Sequence, residues 1–372
     1  SDVCSSDLQQ GVRSLRLVIN SEIYKNLLQI TPRGLFCPAG GFFIDPWDKV
    51  PRAVITHAHS DHARWGCEHY LAATSSASLL RHRLGNQIDL QSLEYGELLR
   101  MGDATISLHP AGHILGSAQV RIEVAGQVAL ITGDYKLQAD PTCSAWEPQR
   151  CDLLVTESTF GLPVFRWPST EQVIDEIAGW WQENQLAGRT SVLLAYSVGK
   201  SQRIIAELLK KLGSEAAHEM AVHGALRGPN RAYVAAGVVL PDLPSAASMP
   251  SDHDWSRSLI LAPPSSQSTP WMQRFSDPSI AMASGWMAIR GTRRRRGVER
   301  GFILSDHIDW PDLLQAIGVC KPQQVWVTHG FTDIVARFLA EQGIPACVLE
   351  TKFQGDDAEG TQESEQAPES AP

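Results

Sequence analysis

The segment Thr56-His57-Ala58-His59-Ser60-Asp61-His62 constrains this chain more than any other. It follows directly on the apolar run Ala53-Val54-Ile55. Neutral imidazoles and carboxylates are ligands suited to zinc and other borderline divalent ions. In an extended strand end, an offset of two places His57 and His59 on the same side. Asp61 and His62 follow once the chain has turned, so they can reach a second ion. The competing reading is a His-rich surface loop. Packing alone does not call for four ligand-type residues within six positions.

Further ligands must come from elsewhere, and three candidates stand at the ends of apolar runs. His113 lies in Pro110-Ala111-Gly112-His113-Ile114-Leu115-Gly116-Ser117, where small residues let the backbone approach an ion. Asp134 closes the run VALITGD, where a carboxylate can bridge two ions. His329 closes VWVTHG. A lone His at a strand end is more often a hydrogen-bonded surface residue. Together with the first cluster, the three would complete two metal shells.

The rest of the chain supplies the scaffold. Its 372 residues, 43% hydrophobic and 20% charged, suffice for one large domain or two ordinary ones. Strands are expected at 15–19, 40–45, 52–56, 70–74, 104–110, 117–126, 127–134 and 151–159, with a hairpin at Ala125-Gly126. After Phe160 the pattern changes. A helix over 170–188 is capped at Ser169 or Thr170, and a strand at 190–197 leads to a helix ending at Gly213. Strands at 258–264, 279–286, 300–305 and 323–330 follow, with helices over 310–319 and 332–343. The expected layout is a β-rich domain from 15–165 and 291–353, interrupted by a smaller α/β insertion at 166–290. Residues 1–14 read as an extension outside the fold. The tail from 354 to 372 carries six acidic residues and no Lys or Arg, and reads as solvated and disordered.

The sequence shows no long apolar run for a membrane span and no secretory signal. Seven widely spaced cysteines without a CxxC pair fit a reducing cytoplasm better than a disulfide framework. The net charge of −9 argues against a general polyanion binder but leaves local patches open.

The motifs HAHSDH, AGHILGS, TGDY and VTHG, in this order, resemble the metallo-β-lactamase superfamily. TEST (156–159), SDH (305–307) and VTHG (327–330) look like motifs of its β-CASP branch, which comprises nucleases of DNA and RNA, mRNA 3′-end processing factors among them. Within that branch, GGFFIDPWDKVPRAVITHAHSDHARWG, STFGLPVFRWP and ASGWMAIRGTRRRRGVERGFILSDHIDWPDLL are similar to the ligase-associated DNA exonucleases. The resemblance runs from about 15 to 350. It implies a four-layer αββα sandwich of α/β class with an inserted, smaller α/β domain of β-CASP type. It also implies two divalent ions, zinc or manganese, held by His57, His59 and His113 on one side and by Asp61, His62 and His329 on the other, with Asp134 bridging. Glu157 and His307 match the branch's catalytic acidic and histidine motifs, with Asp61 beside them. Asp45 matches an early Asp that supports the metal loop. Asp306 departs from end-processing relatives, which carry a small residue there; it puts a charge where it can shift the pKa of His307 or repel a phosphate.

Two ions of this kind lower the pKa of a water towards about 7 and neutralise phosphodiester oxygens, and His307 can then protonate the leaving oxygen. The leading reading is a DNA exonuclease acting at ends in repair, with a DNA ligase and a helicase as partners implied by resemblance. An RNA-processing nuclease, a small-molecule metallo-hydrolase and a non-catalytic binding subunit are the alternatives. Arg293, Arg294, Arg295 and Arg296 form a basic run suited to phosphate, or else a solvated face. Arg227 and Arg231, with Lys200 and Arg203, are candidates for the same groove. Phe165, Trp167 and Trp286 either stack on bases or pack internally.

Overall fold

The computed structural model describes residues 24–351, so the strand expected at 15–19, the extension 1–14 and the tail from 354 lie outside the described residues. Short apolar runs broken by Gly and Pro give the first six strands: β1 (Gln29–Thr31), β2 (Gly34–Cys37), β3 (Phe42–Ile44), β4 (Arg52–Val54), β5 (His69–Ala73) and β6 (Leu90–Leu93), with α1 (Ala77–Leu84) before the last. They form one sheet in chain order, antiparallel from β1 to β3 and parallel from β3 to β6.

A second sheet begins with β7 (Leu99–Met101), β8 (Ala104–Pro110), β9 (Ala118–Val124) and β10 (Gln127–Ile131), an antiparallel meander, and adds β11 (Leu153–Ser158) in parallel. The hairpin between β9 and β10 turns at Ala125 and Gly126, both with positive φ, as two-residue hairpins require. Inward-facing residues of the two sheets, including Phe42, Ile44, Val54, Ile106, Val120, Ile122 and Val155, make one shared core. Each such side chain contributes about 1.5–3 kcal/mol on burial.

After β11 the chain builds a third unit. Helix α2 (Thr170–Leu186) starts at Ser169, whose hydroxyl accepts from the Gln172 N–H in a reciprocal capping box. Next come β12 (Ser191–Leu194), α3 (Lys200–Leu212), β13 (Met220–Val222), α4 (Gly224–Ala235), β14 (Leu259–Ala262), β15 (Ser279–Ala283), α5 (Arg290–Arg296) and β16 (Arg300–Phe302). The five strands form a parallel sheet ordered β13-β14-β12-β15-β16. Leu193, Leu261 and Ala281 face α2 and α3, while Val192, Leu194 and Ile260 face the opposite side with Trp255 and Phe275. The edge strand β16 lies past the expected boundary at 290, because it pairs with β15.

The chain then returns through α6 (Trp310–Cys320), β17 (Gln324–Gly330), α7 (Thr332–Glu341) and β18 (Ala346–Val348). β17 inserts beside β11 in parallel, and β18 beside β17. Helices α6 and α7 cover the outer face of the second sheet, and α1 with α4 covers that of the first. Among the described residues no helix is long and apolar enough to cross a membrane, and the cysteines there are free.

Candidate metal centre and catalytic pair

Strands β4, β8, β10, β11 and β17 all end at one edge of the two packed sheets, and the site residues follow those ends. The loop after β4 is fixed by Asp45, whose Oδ1 accepts from the Thr56 N–H (2.8 Å) and whose Oδ2 accepts from the Thr56 hydroxyl (2.6 Å) and the His62 Nδ1–H (2.7 Å). Asp45 has a left-handed backbone (φ 41°), as does His329 (φ 52°) at the end of β17. Such conformations cost non-glycine residues energy and cluster at functional sites. The following Gly330 cannot be replaced freely: a Cβ there would stand 2.4 Å from the Ser158 carbonyl oxygen. Gly133 likewise lets Asp134 approach, since a Cβ would meet Thr56 at 2.7 Å.

His57, His59 and His113 stand edge to face around a common point, with ring centroids 4.7–4.9 Å apart. His113 Nδ1–H donates to the Asp306 carbonyl (2.7 Å) and His59 Nε2–H to the Val198 carbonyl (3.3 Å). The remaining nitrogens, His113 Nε2 and His59 Nδ1, are 3.1 Å apart. With the other nitrogens donating, both present lone pairs, which repel unless a cation lies with them. His57 Nδ1 is 3.0 Å from the Thr56 hydroxyl; its buried Nε2 has no hydrogen-bond partner among the described residues, and neither has His62 Nε2. Asp134 Oδ2 lies 3.5 Å from each of those orphaned nitrogens and 3.8 Å from His113 Nε2. The donor atoms of His57, His59, His113 and Asp134 all fall within 4.8 Å of one another, so these residues fit a divalent ion.

The second expected set is looser. Asp61 Oδ2 is 3.7 Å from His62 Nε2, and His329 stacks on His62 at 5.7 Å between ring centroids. Asp61, His62, Asp134 and His329 line one small cavity with Trp47 and Leu349.

Electrostatics agree with the geometry. Burial holds His57 and His113 well below the ordinary imidazole range, and neighbouring imidazoles push each lower. His59 and His329 are lowered by burial against the pull of Asp61 and Asp134. For His62 burial opposes charge, but Asp134, Asp61 and Asp45 outweigh it and raise the imidazole well above its usual value. Burial would raise Asp134, yet His62 and His307 hold its carboxyl well below the usual range.

Beside this cluster Glu157, fully buried in β11, accepts from His307 Nδ1–H at 2.9 Å and from the Tyr135 N–H at 3.0 Å. Asp134 Oδ2 lies 4.0 Å from the same His307 nitrogen. Asp134, Glu157 and His307 could by themselves hold an ion. The short His307–Glu157 contact, however, already uses the nitrogen that would face it.

Several expectations require correction. Asp306 does not face a phosphate. Its buried carboxylate lies 3.2 Å from Arg203, 3.8 Å from Lys136 and 3.9 Å from Lys200, which overcome burial and hold it low. Lys200 and Arg203 are therefore buried under the site rather than lining an open groove. Arg203 also donates to the Ser305 carbonyl (2.8 Å), and Lys136 to the His113 carbonyl (2.7 Å). Sequence reading did not single out Lys136, which follows the TGDY motif without a signal of its own. Phe165, Trp167 and Trp286 pack around Phe160 beneath His307, and Trp167 Nε1–H donates to the His307 carbonyl (2.9 Å). The basic run forms α5, where Arg294 and Arg295 are exposed and Arg296 is half-buried; the Arg293 side chain lies outside the described set. Arg227 and Arg231 are exposed on α4.

No family model matches the chain. A protein named Probable DNA ligase from Opitutus terrae is 31% identical over 323 residues, covering 85% of this chain and 30% of that protein. Endoribonuclease YSH1 of Yarrowia lipolytica is 27% identical over 163 residues, covering 41% of this chain and 19% of that protein. Cleavage and polyadenylation specificity factor 73 of Drosophila melanogaster is 26% identical over 178 residues, covering 45% and 25% respectively. The chain thus spans less than a third of the length of each of these relatives. Its fold is shared with a crystal structure of a protein of unknown function from Enterococcus faecalis, at a TM-score of 0.55 and 12% identity over 81% of this chain and 79% of that one.

Proposed function

We propose, from the place of this chain in the β-CASP branch of the metallo-β-lactamase superfamily, which these relatives support, that it is a metal-dependent nuclease hydrolysing phosphodiester bonds of DNA from strand ends. The observation that carries the proposal is the donor cluster of His57, His59, His113 and Asp134 within 4.8 Å, next to the His307–Glu157 pair at 2.9 Å. On this reading the two packed sheets with outer helices are the metallo-β-lactamase sandwich, and the third sheet is the β-CASP insertion, extending to Phe302 rather than 290.

His57, His59 and His113 are assigned to one ion, Asp61, His62 and His329 to a second, and Asp134 to both; zinc or manganese suits these donors. Bound divalent ions supply Lewis-acid chemistry, neutralising phosphodiester oxygens and making water a better nucleophile. The protein's own part is positional and protonic. Asp45 and Thr56 fix the histidine loop. Asp61, a partly buried carboxylate, can take a proton from the attacking water. Glu157 holds the His307 ring through Nδ1, leaving Nε2 to donate a proton to the leaving oxygen and offering the imidazolium a counter-charge. Arg294, Arg295 and Arg296 on α5, together with Arg293, are proposed to contact backbone phosphates.

The name of the Opitutus relative favours DNA and a link to ligation; a role in repair with a ligase and a helicase as partners is proposed from the motif resemblance. The names of the endoribonuclease and cleavage-factor relatives favour a second reading, an RNA-processing nuclease. Matched DNA and RNA strands labelled at either end, incubated with Zn²⁺ or Mn²⁺, test both. Stepwise metal-dependent shortening of DNA, absent in His307→Ala, is expected. Cleavage of RNA alone would replace the DNA reading, and turnover of small esters alone would replace both.

A further inference from the structure

Away from the metal centre, α1, α4 and the loop around Ser245 enclose an open cleft of about 690 Å³. Arg227 and Arg231 stand one helical turn apart on α4 and line it, with His82, Ser245 and Ser248. No carboxylate lines the cleft, and neither arginine has an acidic partner among the described residues. In a chain of net charge −9, a paired and unbalanced arginine surface runs against the overall composition.

The cleft is built rather than incidental. The His82 ring rests on Gly228, where a Cβ would stand 2.2 Å from Cε1. Burial lowers this imidazole, and Arg231 and Arg83 lower it further, so positive charge is concentrated around it. The far end of α4 is tied to the metal site. Tyr233 Oη accepts from the N–H of Leu115, two residues past His113 (3.3 Å), and Asn230 Oδ1 accepts from Gln202 on α3 (2.7 Å). Six residues of helix separate Arg227 from Tyr233, about 9 Å of rise.

We infer that this cleft holds backbone phosphates of the single strand whose end enters the metal centre, a second anion site joined to that centre through α4. This rests on the nuclease reading for the identity of the strand. The chemistry selects backbone over bases: the lining offers guanidinium forks and hydroxyls but, His82 apart, no ring on which a base could stack. Contact here is therefore indifferent to sequence.

The test is anisotropy of a labelled single strand of about 15 nucleotides, with phosphorothioate linkages that resist cleavage, on the metal-loaded full chain. Arg227→Glu/Arg231→Glu is expected to weaken binding more than about tenfold and to flatten the log–log salt slope by about 1.4, two contacts at ~0.7 each. Arg227→Gln/Arg231→Gln should show a smaller loss in the same direction, and serves if charge reversal disturbs the thermal midpoint. Unchanged affinity and slope in a wild type that cleaves DNA would overturn the cleft and leave the nuclease. Arginine-dependent binding without cleavage under any metal would keep the cleft and overturn the nuclease. A wild type that binds no strand would overturn both.

Discussion

The floor of the candidate site and the cleft on α4 both collect positive charge, and they treat it in opposite ways. Under His113 and His307, Lys136, Lys200 and Arg203 surround Asp306 and Asp140 and are almost wholly withdrawn from water. On α4, Arg227 and Arg231 are exposed and face no carboxylate among the described residues. Both places hold cationic side chains; the difference is the counter-charge. Buried cations here tie loops together, because an unpaired charge in that setting is costly. Exposed unpaired cations keep their charge for something that arrives from outside.

Substitutions in the site, its floor and the basic surfaces would break or sharpen this contrast. The largest effect is expected at the carboxylate that balances the imidazoles. Asp134→Ala, like His59→Ala, should remove bound metal and reduce cleavage to background, read by elemental analysis alongside end-labelled DNA. His307→Ala should retain the metal but slow cleavage by roughly 10²–10⁴-fold, as for a lost general acid; turnover at the wild-type rate would end its assignment. Arg203→Ala removes one partner from the buried cluster and should lower unfolding free energy by about 3–5 kcal/mol in denaturant titration. Arg227→Ala, by contrast, should stay within about 0.5 kcal/mol of wild type; equal losses would erase the distinction between floor and cleft. The smallest effect is expected at α5, where Arg294→Glu/Arg295→Glu should weaken strand binding severalfold without altering the melting temperature.

The pH dependence carries the same signature. The folded-state pKa of Asp306 is depressed, so its contribution is present above the unfolded value, about 3.9, and is lost as pH falls through the folded value. Asp306→Asn should therefore flatten the acid limb of a stability profile.

The candidate donors were legible because buried strands leave apolar runs, and each run here stops just short of one: Ile55 before the histidines, Ile131 before Asp134, Val327 before His329. The hairpin at Ala125 and the cap at Ser169 were legible for the same local reasons. Helix α4 was hidden by Gly224, Gly228 and Pro229, all poor helix residues; burial of Leu226 and Tyr233 and the seat for His82 override propensity there. Helix α5, written RGTRRRR, has no apolar stripe by which a period could show. Strands β1, β7 and β13 have three residues each, too few to alternate visibly. The role of Asp306 could not be read locally, since its partners Lys136, Lys200 and Arg203 come from distant positions. A charge beside a catalytic motif looks functional until its counter-ions are located.

The pairing of β11 with β17 brings Ser158 and His329 together across 171 residues of sequence. A gap of that length makes their meeting a late event in folding, because distant contacts must wait for loop closure. If the third sheet forms first, it shortens the effective tether between the two strands. During synthesis, the ribosome therefore releases a polypeptide that already carries His57, His59, His113 and Asp134 but has no neighbour for the exposed edge of β11. Until β17 arrives, that edge is a template for the wrong strand. The order of the sequence thus gives this protein a window of vulnerability to aggregation, which closes as the last histidine reaches the cluster.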